Sequence, residues 1–237
     1  MGLGVKMGVE GGRVNVEPRI SLNKLGEYLT ATPGRRRKIL FDQKYPSDFI
    51  VTRYNDAEAA IIEYIFSNTN DVGLLDNALE QIEGKRVETD WEVQTKALNM
   101  EALEAFYDIA DQIDYTKYSV EKCVKSEAAY GMLGGVQISV RPEIVIYRDK
   151  GEEKVIGATK IYFSKSFPLL DGAGEYVSSF LVEYLKQTRK DRSVNNRICN
   201  VIDVFSRNII TAPISYKRRM ADIEAACQEI AAVWNRL

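Results

Sequence analysis

The sequence predicts an α/β protein of the α+β kind, an N-terminal helical region followed by a small mixed sheet flanked by helices. Two observations carry this. From Ile20 to about Asp114 apolar residues recur at three- and four-residue spacing, whereas after Tyr115 β-branched and aromatic residues take over from helix formers. With 237 residues, 45% of them hydrophobic, the chain is long enough to bury a substantial core.

Residues 1–17 are Gly-rich and polar, and the expectation is a flexible leader. Residues 18–114 form the helical region. Leu22, Leu25 and Leu29 follow Ser21 at helical spacing, and Ala57, Ile61, Tyr64 and Ile65 follow Asp56. Leu98, Ala102, Phe106, Ile109 and Ile113 mark another helix face, and Thr32-Pro33-Gly34 and Tyr45-Pro46-Ser47-Asp48 read as turns.

Residues 115–237 form the α/β core. Val136 to Tyr147 reads as one strand kinked or bulged near Pro142, because proline cannot donate a ladder hydrogen bond. Arg148 to Glu153 is a hairpin turn and Val155 to Ser164 the return strand; a helix over 172–186, a strand over 198–205 and a short strand over 209–212 follow. The last helix carries Met220, Ile223, Cys227, Ile230, Trp234 and Leu237 as one apolar stripe, suited to docking on the same chain.

Composition excludes several chemistries. The chain has no histidine, so Ser-His-Asp and Cys-His nucleophile systems, histidine bases and His-ligated zinc are ruled out. Cys123, Cys199 and Cys227 are odd in number and widely spaced, which indicates reduced thiols rather than a disulfide framework. No apolar run is long enough for a membrane span, and none resembles a signal peptide, which points to the cytoplasm. Any catalysis must use carboxylates, lysine, tyrosine or a metal held by oxygen.

A net charge of −2 hides an asymmetry. Between Asn55 and Asp114 there are 15 acids against three bases, a net of −12, and the remainder carries +10. Bases cluster at Arg35, Arg36, Arg37 and Lys38; at Lys186 to Arg192, including Arg189 and Lys190; and at Lys217, Arg218 and Arg219. Such clusters suit phosphate backbones, although solvated helix ends have the same composition.

Arg141-Pro142-Glu143 precedes Lys160 by seventeen residues from the glutamate, and Glu175 lies fifteen residues further on. In this strand, strand, helix order two acids and a lysine can converge on one ion and one water. The segment from about Leu98 to Pro213 thereby resembles the PD-(D/E)XK nuclease superfamily, the restriction-endonuclease-like core shared by RecB-like and Cas4-like nucleases. The resemblance implies a Mg2+- or Mn2+-dependent nuclease of DNA processing or prokaryotic defence, acting on DNA more readily than RNA. It implies that Glu143 ligates the metal, that Lys160 positions or activates water, and that the carbonyl of Ile161 adds a ligand. Lys165 or Arg141 would contact the scissile phosphate.

One position departs from the pattern: the usual second acid, two residues before the lysine, is Ala158. Glu175 stands where some restriction enzymes move that carboxylate. Each residue also has a plainer role open to it. Glu143 can pair with Arg141 or Lys154, Lys160 can snorkel from a sheet edge, and Glu175 can be a first-turn acid favoured by the helix dipole. An inactive nuclease fold used for nucleic-acid binding or assembly is the other reading, its acidic helical region serving as a protein-docking face. A homodimer is compatible with either, and a helix-turn-helix over Ser21 to Gln43 is a weaker third.

The remaining features suggest less. The glycine-rich run 131–135 precedes a strand and lacks the Lys-Ser/Thr of a P-loop. Asp203 reads as a polar-face acid on a strand, and Tyr147, Tyr162 and Tyr176 as packing residues that could also stack bases.

Overall fold

The computed structural model describes residues 5–7, 13–46, 53–123, 130–169 and 172–237. The segment expected to be a leader contains two short antiparallel strands, β1 (Val5–Met7) and β2 (Arg13–Asn15). The indole of Trp234 donates to the carbonyls of Asn15 and Val16 at 3.2 and 3.0 Å, so residues 13–17 are held rather than free. Residues 1–4 and 8–12 of that expectation lie outside the described residues.

Strand β3 (Arg19–Ser21) leads into α1 (Leu22–Thr30), where the Ser21 hydroxyl accepts from the Lys24 N–H. The Thr32-Pro33-Gly34 signal is the start of α2 (Pro33–Lys44), with proline at the position where its missing N–H costs nothing. Tyr45 and Pro46 follow this helix, whereas Ser47 and Asp48 lie outside the described residues.

Helices α3 (Asn55–Ser67), α4 (Gly73–Glu83) and α5 (Asp90–Tyr107) then pack together. Ala57, Ile61, Tyr64 and Ile65 are all buried, as their spacing predicts. A reciprocal capping box between Thr89 and Glu92 starts α5. That helix stops at Tyr107, and Ile109 and Ile113 are buried from either side of the short 3-10 turn Ala110–Gln112 that follows.

The remaining strands are β4 (Ser119–Lys122), β5 (Tyr130–Leu133), β6 (Val136–Ser139), β7 (Ile144–Lys150) and β8 (Glu153–Tyr162). After them come α6 (Ala173–Thr188), β9 (Ser193–Asp203), β10 (Asn208–Thr211) and α7 (Tyr216–Val233). The predicted single strand over 136–147 is two strands in two different sheets. β6 belongs to a three-stranded sheet ordered β3-β6-β5, and β7 to a five-stranded sheet ordered β10-β9-β8-β7-β4. Pro142 and a positive φ of 38° at Arg141 turn the chain between them, a larger break than a bulge.

In the larger sheet β4, β7 and β8 form an antiparallel meander, after which α6 crosses over to place β9 parallel to β8. The period-two alternation sends neighbours to opposite faces. Ile144, Ile146, Ile161 and Ile202 pack against α3, α4 and α5, whereas Val145, Ala158 and Cys199 join Val182 and Leu185 of α6. Helices from the 18–114 segment therefore occupy both sides of the molecule, since α1 and α2 pack with α6 and α7.

The C-terminal stripe docks on its own chain. Ile223, Cys227, Ile230 and Trp234 of this stripe are fully buried, and burying each large apolar side chain contributes roughly 1.5–3 kcal/mol. Among the described residues no helix is long and apolar enough to cross a membrane.

Candidate functional site

Glu143 sits one residue before β7 and Lys160 near the end of β8, one step beyond the paired residues Ile144 and Thr159. The hairpin register thus sets the two side chains opposite one another on one face. They form an ion pair with side chains only 12% and 11% exposed. Lys160 Nζ also donates to the carbonyl of Arg141 at 2.8 Å, and the other carboxylate oxygen of Glu143 accepts from the Ile161 N–H at 2.7 Å. The positive φ of Arg141 is part of this geometry, because it sets the turn that carries that carbonyl.

The pair lies in an open cleft of about 350 Å3 beyond the ends of β7 and β8. Helices from both faces of the sheet reach it. The start of α1 contributes Ser21, Asn23 and Lys24, and the first turn of α3 contributes Glu58. Asn23 donates through Nδ2 to the Ile161 carbonyl at 3.1 Å, while its buried Oδ1 has no hydrogen-bond partner among the described residues. An orphaned acceptor in a cleft is costly unless a donor or cation arrives.

Burial pushes the Glu143 carboxyl above its ordinary range; Lys160 and the Ile161 N–H oppose that, and the nearby charge of Glu58 adds to it. The electrostatics thus register two carboxylates in one cleft. Sequence reasoning missed Glu58. Its only signal is position, one residue past the buried Ala57, on the flank of the α3 stripe rather than on its solvent face.

Glu175 is placed elsewhere. It stands in the first turn of α6, where its carboxylate accepts from Arg219 Nε and Nη2 at 2.8 and 2.5 Å. It is not among the residues lining the cleft. Ala158 is fully buried in the apolar cluster under α6, so that position offers no ligand.

No family model matches the chain, and no curated protein matches it. Function therefore rests on the site.

Among the described residues no three His, Cys, Asp or Glu side chains gather as a metal cluster. The cleft instead presents two carboxylates, Glu143 and Glu58, the orphaned Asn23 Oδ1 and the Ile161 carbonyl. All are oxygen donors, the kind a hard cation takes. Magnesium commonly binds one or two protein carboxylates and keeps several waters, so this donor set fits it.

The predicted phosphate-contacting residues fall into two groups. Arg35 pairs with Glu27 and lies over the Phe167 ring, and Arg36 donates to the carbonyls of Tyr28 and Leu29 at the end of α1. Arg192 is held by Asp149, Arg219 by Glu175, and Lys165 by Glu101 at 2.6 Å. Arg37, Arg141, Arg189, Lys190, Lys217 and Arg218 are exposed.

Of the three tyrosines, Tyr147 donates to Glu121 and Tyr176 to Asp222. Tyr162 lines the cleft but is buried, its hydroxyl donating to the Phe167 carbonyl and its pKa pushed up to about 12 by burial. Asp203 is a structural cap that accepts from the Leu169 N–H at 2.7 Å and the Ser206 hydroxyl at 2.9 Å. Gly134 and Gly135 form the tight turn between β5 and β6, both with positive φ.

Proposed function

We propose that the chain is a Mg2+- or Mn2+-dependent hydrolase of phosphodiester bonds in nucleic acid, DNA before RNA, with its site at Glu143, Lys160 and Glu58. One observation carries the reading: a glutamate and a lysine seventeen residues apart in sequence meet, almost buried, at the floor of a cleft that also receives a second carboxylate and an unpartnered amide oxygen. The order β4, β7, β8, α6, β9 also supports the resemblance to the PD-(D/E)XK nucleases that the sequence carries.

Glu143 and Glu58 would hold the ion, with Asn23 Oδ1 and the Ile161 carbonyl as further oxygen donors. A bound magnesium ion supplies charge stabilisation at the phosphoryl oxygens and lowers the pKa of its water. Lys160 is held by Glu143 and the Arg141 carbonyl with its ammonium at the cleft, where it can orient water or a phosphate oxygen. Lys24, also lining the cleft and paired with Glu27 at 2.6 Å, adds positive charge for the substrate backbone.

The test is incubation with labelled single- and double-stranded DNA and RNA in magnesium, manganese or EDTA, beside Glu143→Gln and Lys160→Met. The reading expects cleavage that needs the metal and both side chains.

A second reading, an inactive nuclease fold that binds nucleic acid or a partner protein, is favoured by the apolar burial of Ala158 and the absence of a third acid among the described cleft residues. Metal-independent binding without cleavage is its expected result, and the acidic face of α3 to α5 would be its docking surface.

A further inference from the structure

The cleft has an aromatic side that the phosphoryl chemistry does not use. Phe163, the first residue after β8, lines the cleft beside Lys160. Tyr54, at the entry to α3, stacks on it with ring centroids 5.1 Å apart and planes only 9° from parallel. Phe205 then meets Tyr54 edge-on at 5.5 Å and 64°. Tyr54, itself braced by Phe205, therefore covers one face of the Phe163 ring, which is half-buried against the α3 to α5 cluster and lines the cleft.

We propose that Phe163, backed by Tyr54, is a stacking shelf for an unpaired nucleobase, so that the preferred substrate is single-stranded nucleic acid. This rests on the reading of the cleft as a phosphodiester site. At about 3.3 Å per strand residue, Phe163 lies roughly 10 Å along the chain from Lys160, within reach of nucleotides flanking the phosphate that Lys160 would engage. In a duplex the faces of each base are covered by its neighbours, so only an unpaired base can offer a face to a fixed ring. Stacking of this kind tolerates any sequence, because every base has a π-face. Lys165, with Nζ 5.7 Å from the Phe205 centroid, places a cation beside the same cluster.

The experiment is binding by fluorescence anisotropy, in calcium without magnesium. The probes are a labelled single-stranded oligothymidine, an abasic oligomer of equal length and a blunt duplex. They are titrated against the full chain, Phe163→Ala, Phe163→Leu and Phe163→Trp, each checked for folding by circular dichroism. Leucine preserves apolar packing without a π-face, and so separates stacking from structure. The expected result is tighter binding to oligothymidine than to the abasic strand, lost about tenfold in both Phe163→Ala and Phe163→Leu, retained in Phe163→Trp, with abasic affinity unchanged. Equal weakening of oligothymidine and abasic binding, or no effect of leucine, would overturn the shelf while leaving the phosphodiester reading intact. No binding to any probe by the full chain would remove that reading and the shelf together.

Discussion

At the scale of single residues, the Glu143 and Lys160 pair is expensive to keep. Removing one partner from a buried pair costs about 3–5 kcal/mol, whereas replacing both with groups of similar volume is often neutral or stabilising by about 1–4 kcal/mol. With side chains 12% and 11% exposed, this pair belongs to that class. Urea unfolding is therefore expected to show Glu143→Gln well below the wild type in stability, and the double variant Glu143→Gln/Lys160→Met at or above it. A double variant as unstable as the single one would show that the pair supports the fold rather than a function. The pH dependence has a fixed sign. Burial raises the folded-state pKa of Glu143, so the native state binds more protons than the unfolded chain between the ordinary carboxylate range and the raised value. The stability of the wild type relative to the double variant should fall as pH rises through that window, and level off above it.

The thiols give a second prediction at this scale. Burial pushes Cys199 and Cys227 up to about 12, so neither carries appreciable thiolate at neutral pH. A thiol reagent at pH 7.5 should modify only Cys123, which is partly exposed, until denaturant is added. Rapid native modification of three thiols would contradict the burial of the α6 and α7 cores.

Elements position the site through two glycines. A Cβ at Gly157 would stand 2.2 Å from the Ile198 carbonyl, at the register shift where β8 meets β9. The obstacle is backbone and cannot swing aside. Gly157→Ala is expected to cost about 1–3 kcal/mol by overpacking, and, being three residues from Lys160, to lower cleavage as well, read from urea midpoints and single-turnover rates on the same sample. Gly26 likewise lets α1 approach α6, since a Cβ there would meet Val177 at 2.6 Å, and this approach helps hold α1, which presents Asn23 and Lys24 to the cleft.

The elements also set what was legible in the sequence. Period-three and period-four spacing located α1, α3 and α7 because their stripes are buried by this chain. The hairpin whose far end carries Glu143 and Lys160 was legible from its β-branched residues and the Lys150-Gly151 turn, although Arg148 to Lys150 and Glu153, expected in the turn, pair in the ladder. The split between β6 and β7 was not, because Pro142 signals a break in a ladder without saying whether the chain stays in its sheet. Glu175 was favoured because it stands where the resemblance puts a displaced second acid; its partner Arg219 lies 44 residues away on α7, and no local pattern records that pairing. Glu58 was missed for the converse reason, as it lies 85 residues before Glu143 and 35 after Asn23 and enters from the opposite face of the sheet.

For the whole molecule, the charge asymmetry separates an acidic helical segment of net −12 from a remainder of +10. Binding by exposed bases such as Arg189, Lys190, Lys217 and Arg218 releases counterions, so affinity should fall steeply and log-linearly with salt. The Phe163 contribution should be much less salt-sensitive, since stacking displaces no counterion. The central claim is that the site is the cleft between α1, α3 and the β7-β8 hairpin, with Glu58 rather than Glu175 as the second carboxylate. Single-turnover cleavage in magnesium by Glu58→Gln and Glu175→Gln, measured beside the wild type, tests it most directly. The account predicts a loss of 100-fold or more for Glu58→Gln, on the order seen when charged groups leave a catalytic site, and near wild-type rates for Glu175→Gln. Loss of cleavage with Glu175→Gln and its retention with Glu58→Gln would contradict it.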